Sequence, residues 1–259
     1  MTFIRSFAAL GCCAVLAACS MEKNAVQTIS GPAPGSAVKF YNFSPGAPSV
    51  NFYANDTKMT AVSSTSGQES TSGTAYGSVA TGGFYASLAP GQYTLTGRIT
   101  ATTDNGLAIV SAPTALTDGK YYSFFLSGLY NTATKKSDFF ILEDAAPPAQ
   151  LDYTVAYVRF VNAISNSSPM TLYAKNTTSG AELPVGGSVA YKSAGALTAI
   201  PVGPYDLIAR VTGSSANAIT LAAVGFSQGR VLTVTARGDM TVTSTTAATR
   251  PILTSSTDR

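Results

Sequence analysis

Apolar and polar residues alternate with a period of two through much of the chain beyond residue 36. Tyr93, Leu95, Gly97 and Ile99 alternate with Thr94, Thr96 and Arg98. Such a run, rich in β-branched and aromatic side chains, marks a strand with one buried face. Tyr205, Leu207, Ala209 and Val211 repeat the rhythm. No stretch after residue 30 shows a helical period with caps. Clusters of Gly, Pro, Asn and Ser separate the runs, and their spacing predicts about seven short strands per unit, as in a sandwich or small barrel.

The same blocks occur twice, in the same order. Val38-Lys39-Phe40-Tyr41-Asn42 matches Val158-Arg159-Phe160-Val161-Asn162, and Phe52-Tyr53-Ala54 matches Leu172-Tyr173-Ala174. The run from Gly91 to Thr100 matches that from Gly203 to Thr212. Gly119 and Gly128 bracket an apolar strand, as do Gly229 and Gly238. An all-β chain follows, with two tandem Greek-key-like β-sandwich repeats over 37–144 and 152–245, a proline-stiffened linker at 145–151 and a polar tail at 246–259. The small-residue stretch 63–77 reads as a low-complexity loop, answered in the second copy by a shorter loop from Thr177 to Gly187.

Residues 1–18 read as an export signal: Arg5 supplies the positive start, and Phe7 to Ala18 is almost wholly apolar. That run is shorter than the 20 or so residues a bilayer span needs. It ends in Leu16-Ala17-Ala18-Cys19, which resembles the lipobox of bacterial lipoproteins. There the Cys thiol receives a diacylglyceryl group and becomes the mature N-terminus, so Cys19 is the expected lipidation site, with acylation of the palmitate type. Two or more acyl chains give stable membrane anchoring, and Ser20, where Asp would signal inner-membrane retention, leans toward the outer membrane. Residues 19–36 then form a lipidated tether, reaching at most roughly 60 Å when extended. Cys12 and Cys13 leave with the signal, so no disulfide is expected in the mature chain, and its stability must rest on hydrophobic cores.

Composition narrows the chemistry. Charged residues are 11% and hydrophobic ones 45%, with a net charge of +3, which argues against disorder. No basic cluster exceeds Lys135-Lys136, so nucleic-acid binding has no electrostatic footprint. The chain has no His and no Trp. The commonest general base and metal ligand is therefore missing, as are Ser–His and Cys–His nucleophile pairs and nitrogen- or sulfur-ligated metal sites. Glu143 and Asp144 are adjacent, so on a strand they face opposite sides. No cofactor is expected.

The opening of each copy carries a family pattern. The run from Phe40-Tyr41-Asn42-Phe43-Ser44-Pro45 to Val50-Asn51-Phe52-Tyr53-Ala54-Asn55, with Pro90-Gly91-Gln92-Tyr93 farther on, resembles the bacterial domain-of-unknown-function family numbered 4397. The second copy keeps Arg159-Phe160-Val161-Asn162-Ala163 and departs at Ile164-Ser165-Asn166-Ser167-Ser168-Pro169. The resemblance implies surface-exposed immunoglobulin-like or transthyretin-like β domains and no catalytic residues.

Four recurring residues are candidate binding positions. Asn42 and Asn162 end strands, where Asn either meets a ligand or closes an Asx-turn on its own backbone. Tyr53 and Tyr173 either stack on a glycan or pair across strands. Arg98 and Arg210 recur on the strand phase that faces away from Leu95 and Leu207. Arg237-Gly238-Asp239 spells the tripeptide read by integrins, at an expected hairpin tip, though Gly-Asp is also ordinary turn chemistry. The expected function is a non-catalytic structural or interaction module of the cell envelope, with a carbohydrate- or small-ligand-binding module as the alternative. Its partners would be the membrane, through the lipid, and an envelope protein or glycan.

Overall fold

The computed structural model describes residues 35–61 and 71–258. The expected signal, Cys19 and nearly all of the tether lie outside the described residues, as do positions 63–70 of the predicted 63–77 loop. The first half holds β1 (Ser36–Asn42), β2 (Val50–Ala54), β3 (Thr57–Lys58), β4 (Ser78–Val79), β5 (Ala86–Leu88), β6 (Gly91–Ile99), β7 (Ala108–Leu116), β8 (Tyr121–Asn131) and β9 (Lys136–Glu143). The second holds β10 (Val155–Asn162), β11 (Met170–Asn176), β12 (Glu182–Val189), β13 (Ser193–Ala194), β14 (Thr198–Pro201), β15 (Gly203–Val211), β16 (Ile219–Phe226), β17 (Val231–Arg237) and β18 (Ile252–Thr257). The protein is all-β, in two sandwich-like halves. Each half has more strands than the sequence predicts, because short edge pieces such as β4 and β13 carry no periodic signal.

The halves share one topology. In the first, one sheet runs β4-β1-β8-β9 with β5 also on β1, and the other runs β3-β2-β6-β7. In the second, the orders are β13-β10-β17-β18 with β14 on β10, and β12-β11-β15-β16. β1 lies parallel to β8, with Phe40 opposite Phe124; β10 lies parallel to β17, with Phe160 opposite Val234. Each half closes around its own core. Phe40 stacks on Phe52 at 5.0 Å in the first, near Leu95 and Phe124, while Phe160, Leu172, Leu207 and Val234 fill the second. Phe40 and Phe160 are buried at equivalent places, as are Leu95 and Leu207.

Three expectations change. The region taken as a polar tail contains β18, which pairs with β17 from Leu232↔Thr257 to Arg237↔Ile252 and completes the second sandwich. Only Leu253 among its residues is a buried apolar side chain. On the opposite face Thr254 accepts from Arg237 and Ser256 meets Tyr41 of the first half, so the strand lacks an apolar alternation. The loop expected from Thr177 to Gly187 contains most of β12, paired to β11 across a bulge at Thr171/Leu172. The described part of the 63–77 loop is tied down as well: Thr74 bridges Val50, and the Gly77 amide donates to the Asn42 carbonyl at 2.7 Å.

Candidate functional site

The strands that form the junction between the halves are buried on both faces. β1 points Val38 and Phe40 into its own core, and Lys39 and Tyr41 outward against the second half. β10 points Val158 and Phe160 inward, and Arg159 and Val161 outward. A third core results, with Tyr41, Phe43, Phe125 and Phe140 from the first half against Val161 and Ala163 from the second. Tyr41 stacks on Phe125 at 4.3 Å, and Phe125 on Phe140 at 4.7 Å. The strand registers place Val161, Ala163, Thr235 and Thr254 of the second half where the first has Tyr41, Phe43, Phe125 and Phe140. Large residues thus meet small ones across a pseudo-twofold junction.

Four charges sit inside this junction, exchanged reciprocally. Lys39 Nζ meets Asp258 Oδ1 at 2.9 Å, with side-chain exposures of 0% and 6%. Arg159 Nη2 meets Asp144 Oδ1 at 2.7 Å, with exposures of 3% and 5%. Lys39 and Arg159 occupy matching positions in β1 and β10, and Asp144 and Asp258 follow β9 and β18. Each half therefore gives its cation to the other half's carboxylate. Two equivalent hydroxyls complete the arrangement. Ser123 Oγ accepts from Arg159 and donates to Asp144, while Thr233 Oγ1 accepts from Arg159 Nε and donates to Asp258. Lys39 also donates to the Thr257 carbonyl at 2.8 Å. A buried charge needs such partners, since desolvation alone costs several kcal/mol per ion.

Tyrosines roof the cluster. Tyr85 donates to Asp144 Oδ2 at 2.6 Å, and its ring lies 4.3 Å from Lys39 Nζ. Burial, with Asp258 and Asp144 nearby, pushes the Tyr85 hydroxyl far above the ordinary range. Burial and Asp258 do the same to Tyr41. Both phenols therefore stay neutral hydrogen-bonding groups. At another edge of the junction, Tyr191 Oη donates to Asp138 Oδ2 at 3.0 Å, and Lys192 Nζ reaches Asp138 Oδ1 at 2.7 Å. Burial acts to raise the Asp138 pKa. Lys192, the Phe139 amide and Tyr191 outweigh it and hold the carboxyl below its ordinary value.

Beside the charge cluster a groove of about 500 Å³ opens, lined by Phe84 and Tyr85 from one half and by Arg230 and Ser255 to Asp258 from the other. Phe84 is 76% exposed. A smaller recess of about 230 Å³ occupies the pseudo-equivalent place, lined by Lys120, Tyr121, Glu143 and Asp144.

The four predicted binding residues lie elsewhere. Asn42 and Asn162 are wholly buried. Asn42 Nδ2 donates to the carbonyls of Pro48 and Thr74, and Asn162 Oδ1 accepts from the Ile164 amide while its Nδ2 donates to Ser167 and Val189. Both pin loops to strand ends. Tyr53 and Tyr173 lie on the outer sheets with Arg98 at 4.3 Å and Arg210 at 4.6 Å over their rings. One face of each ring is thus covered, although Tyr53 also lines a shallow cleft of about 270 Å³ with Asn51 and Lys58. Arg237 is no exposed tip: its guanidinium lies 5.3 Å from the Phe43 ring and 5.2 Å from that of Tyr76. Asp239 is engaged by Asn166 and Thr241.

Sequence reasoning missed the junction, although a signal for it was present. Lys39-Phe40-Tyr41-Asn42-Phe43 and Tyr121 to Leu126 are bulky on both phases, which is how a strand buried on both faces reads. A single cation recurring in an apolar strand was the second signal. Glu143 and Asp144 do face opposite ways: Glu143 pairs with Lys120 in the open at 2.6 Å, while Asp144 turns inward. Among the described residues no helix is long and apolar enough to cross a membrane, and no three His, Cys, Asp or Glu side chains converge to hold a metal.

No curated protein matches the chain at a significant level. Residues 36–153, which take in the whole first half, match the family described as a domain of unknown function, DUF4397.

Proposed function

We propose that the chain is a lipid-anchored lipoprotein of the cell envelope, carrying two copies of this domain and acting by contact rather than catalysis. The observation that carries the reading is how the buried ionisable groups are used. Asp144, Asp258, Lys39 and Arg159 neutralise one another inside the junction, so they weld two sandwiches instead of facing a substrate. The surface left to work with is the groove beside them, with its exposed aromatic and guanidinium. The Leu-Ala-Ala-Cys run supports an anchor at Cys19, and Ser20 after it favours the outer membrane. The shared strand order and the paired Asn42 and Asn162 support a second copy of the domain. A carbohydrate- or small-ligand-binding role is the second reading, favoured by the cleft beside Tyr53.

Labelling with tritiated palmitate and membrane fractionation test the anchor. Cys19→Ser is expected to lose the label and release the chain, and unchanged retention of that variant defeats the anchor. A hydrolase-substrate screen tests the mode of action. Reproducible turnover that disappears on replacing one Asp, Glu or Lys overturns the contact reading, and selective binding on a glycan array promotes the second.

A further inference from the structure

The two halves treat matching surface positions differently. Lys120 and Arg230 each follow a turn glycine, Gly119 or Gly229, just ahead of β8 or β17. Lys120 is held by Glu143 on the neighbouring strand. The register puts Thr257 where the first half has Glu143. Arg230 is exposed and has no ion pair among the described residues. The pseudo-equivalent surfaces thus differ by one carboxylate, and the groove has gained an unpaired guanidinium.

The edges differ in the same sense. β9 and β18 are both edge strands. β9 carries Lys136, Asp138 and Glu143, the kind of charges that discourage another strand from adding. β18 reads Ile-Leu-Thr-Ser-Ser-Thr, with no charge and no proline. The Asp258 amide bonds to the Val231 carbonyl, so in the antiparallel ladder the main-chain groups of Leu253, Ser255 and Thr257 point away from β17. Lys39 takes the Thr257 carbonyl, and among the described residues no strand pairs with the rest of that edge.

Resting on the contact reading above, we infer that this groove takes an extended peptide segment of a partner protein. The segment adds as a further strand along β18, sets a carboxylate on Arg230 and packs an apolar side chain against Phe84. A row of main-chain donors and acceptors at strand spacing recognises another backbone, which sugar hydroxyls do not match, and the unpaired guanidinium selects an acid. The groove volume lies within the roughly 300–1,000 Å³ of ordinary ligand sites. Gly82 and Gly83, both at positive φ, hold Phe84 out over the groove without side chains of their own to obstruct it.

The test pans a phage-displayed random dodecapeptide library on the otherwise full mature chain bearing Cys19→Ser, and measures synthetic versions of enriched peptides by fluorescence anisotropy. Enrichment of β-branched and aromatic residues around an Asp or Glu is expected. Arg230→Glu should weaken binding at least about tenfold, roughly the loss of one charge-assisted contact, and Lys in place of the peptide acid should restore it. Ser255→Pro should abolish binding by removing an outward amide while leaving the bonds to β17 intact, and N-methylation of alternate peptide amides should do the same with the protein unaltered. Unchanged melting of both variants shows that folding is not the cause. No enrichment, or binding indifferent to both variants, overturns the proposal. So does preferential binding of oligogalacturonate, or a concentration-dependent dimer that Ser255→Pro dissolves, which would make a second copy the occupant. If envelope proteins still co-purify with Arg230→Glu and Ser255→Pro, the groove assignment fails and the contact reading stands; turnover of a substrate fells the contact reading itself.

Discussion

Replacing Asp144 by Ala removes one carboxylate from the junction and leaves Arg159 with no carboxylate partner, at 3% side-chain exposure. Thr233 and Ser123 still accept from the guanidinium, but neither neutralises it, and the Tyr85 hydroxyl loses its acceptor as well. Breaking a buried pair from one side costs about 3–5 kcal/mol, because a desolvated charge is left uncompensated. For a body of this size each kcal/mol moves the melting temperature by roughly 2–4 °C, so a fall of roughly 6–20 °C is expected. Scanning calorimetry of the mature chain is the assay, with Glu143→Ala as control: its pair with Lys120 is exposed and screened by solvent, so it contributes little to stability. The wild type should unfold in one transition, because its third core couples the sandwiches. Asp144→Ala should resolve into two. The pair Asp144→Leu with Arg159→Met should recover most of the loss, since apolar replacements of buried ion pairs are often neutral or stabilising. If Asp144→Ala melts like Glu143→Ala, the junction is not the dry, coupling interface described above.

Thr235 Oγ1 is buried without a hydrogen-bond partner among the described residues, so Thr235→Val should be neutral or stabilising by about 1 kcal/mol, read as a higher denaturation midpoint at unchanged slope. Gly238 sits at φ 122°, and a Cβ there would collide with the Arg250 carbonyl; Gly238→Ala should detach β18 from β17 and cost about 2 kcal/mol or more, seen as fast amide exchange along β18. The Asp138 contact responds to acid. Its folded pKa lies below the ordinary 3.8, so its contribution is fully present above that value and is lost as pH falls through the lower folded one. The Tyr191–Lys192 clamp should therefore release only under strong acid, and Asp138→Asn should blunt that part of the stability–pH curve.

Much of the architecture was legible without coordinates. The alternation in Tyr93–Ile99 and Tyr205–Val211 identified strands with one wet face, where Arg98 and Arg210 do stand outside. The duplicated blocks marked two halves whose Phe40 and Phe160 fill equivalent core positions. Such features are local: side-chain period and turn chemistry act within a few residues. Binding candidates were a different matter. Recurrence singled out Asn42 and Asn162, yet a residue recurs equally well because a strand end needs it, and both are buried structural pins. The tail was misjudged because β18 buries one apolar side chain, Leu253, and its Ser256 hydroxyl and Thr257 carbonyl make polar contacts with the first half.

What only the tertiary structure decided is the meeting of the two halves. Lys39 lies far along the chain from Asp258, and Arg159 is separated from Asp144 by the linker; nothing in their local sequence says that each cation crosses to the other half. Chain composition could say that charges were few and apolar residues many. Whether the bulky outer faces of β1 and β8 would be covered by solvent, by another molecule or by the second sandwich depended on shape and on long-range charge pairing. The small Val161, Ala163 and Thr235 opposite Tyr41, Phe43 and Phe125 supply that shape, and the exchanged ion pairs fix its register. The free edge of β18 and the unpaired Arg230 belong to the second half by itself; docking adds Phe84 and Tyr85 of the first half, and so turns that edge into a groove.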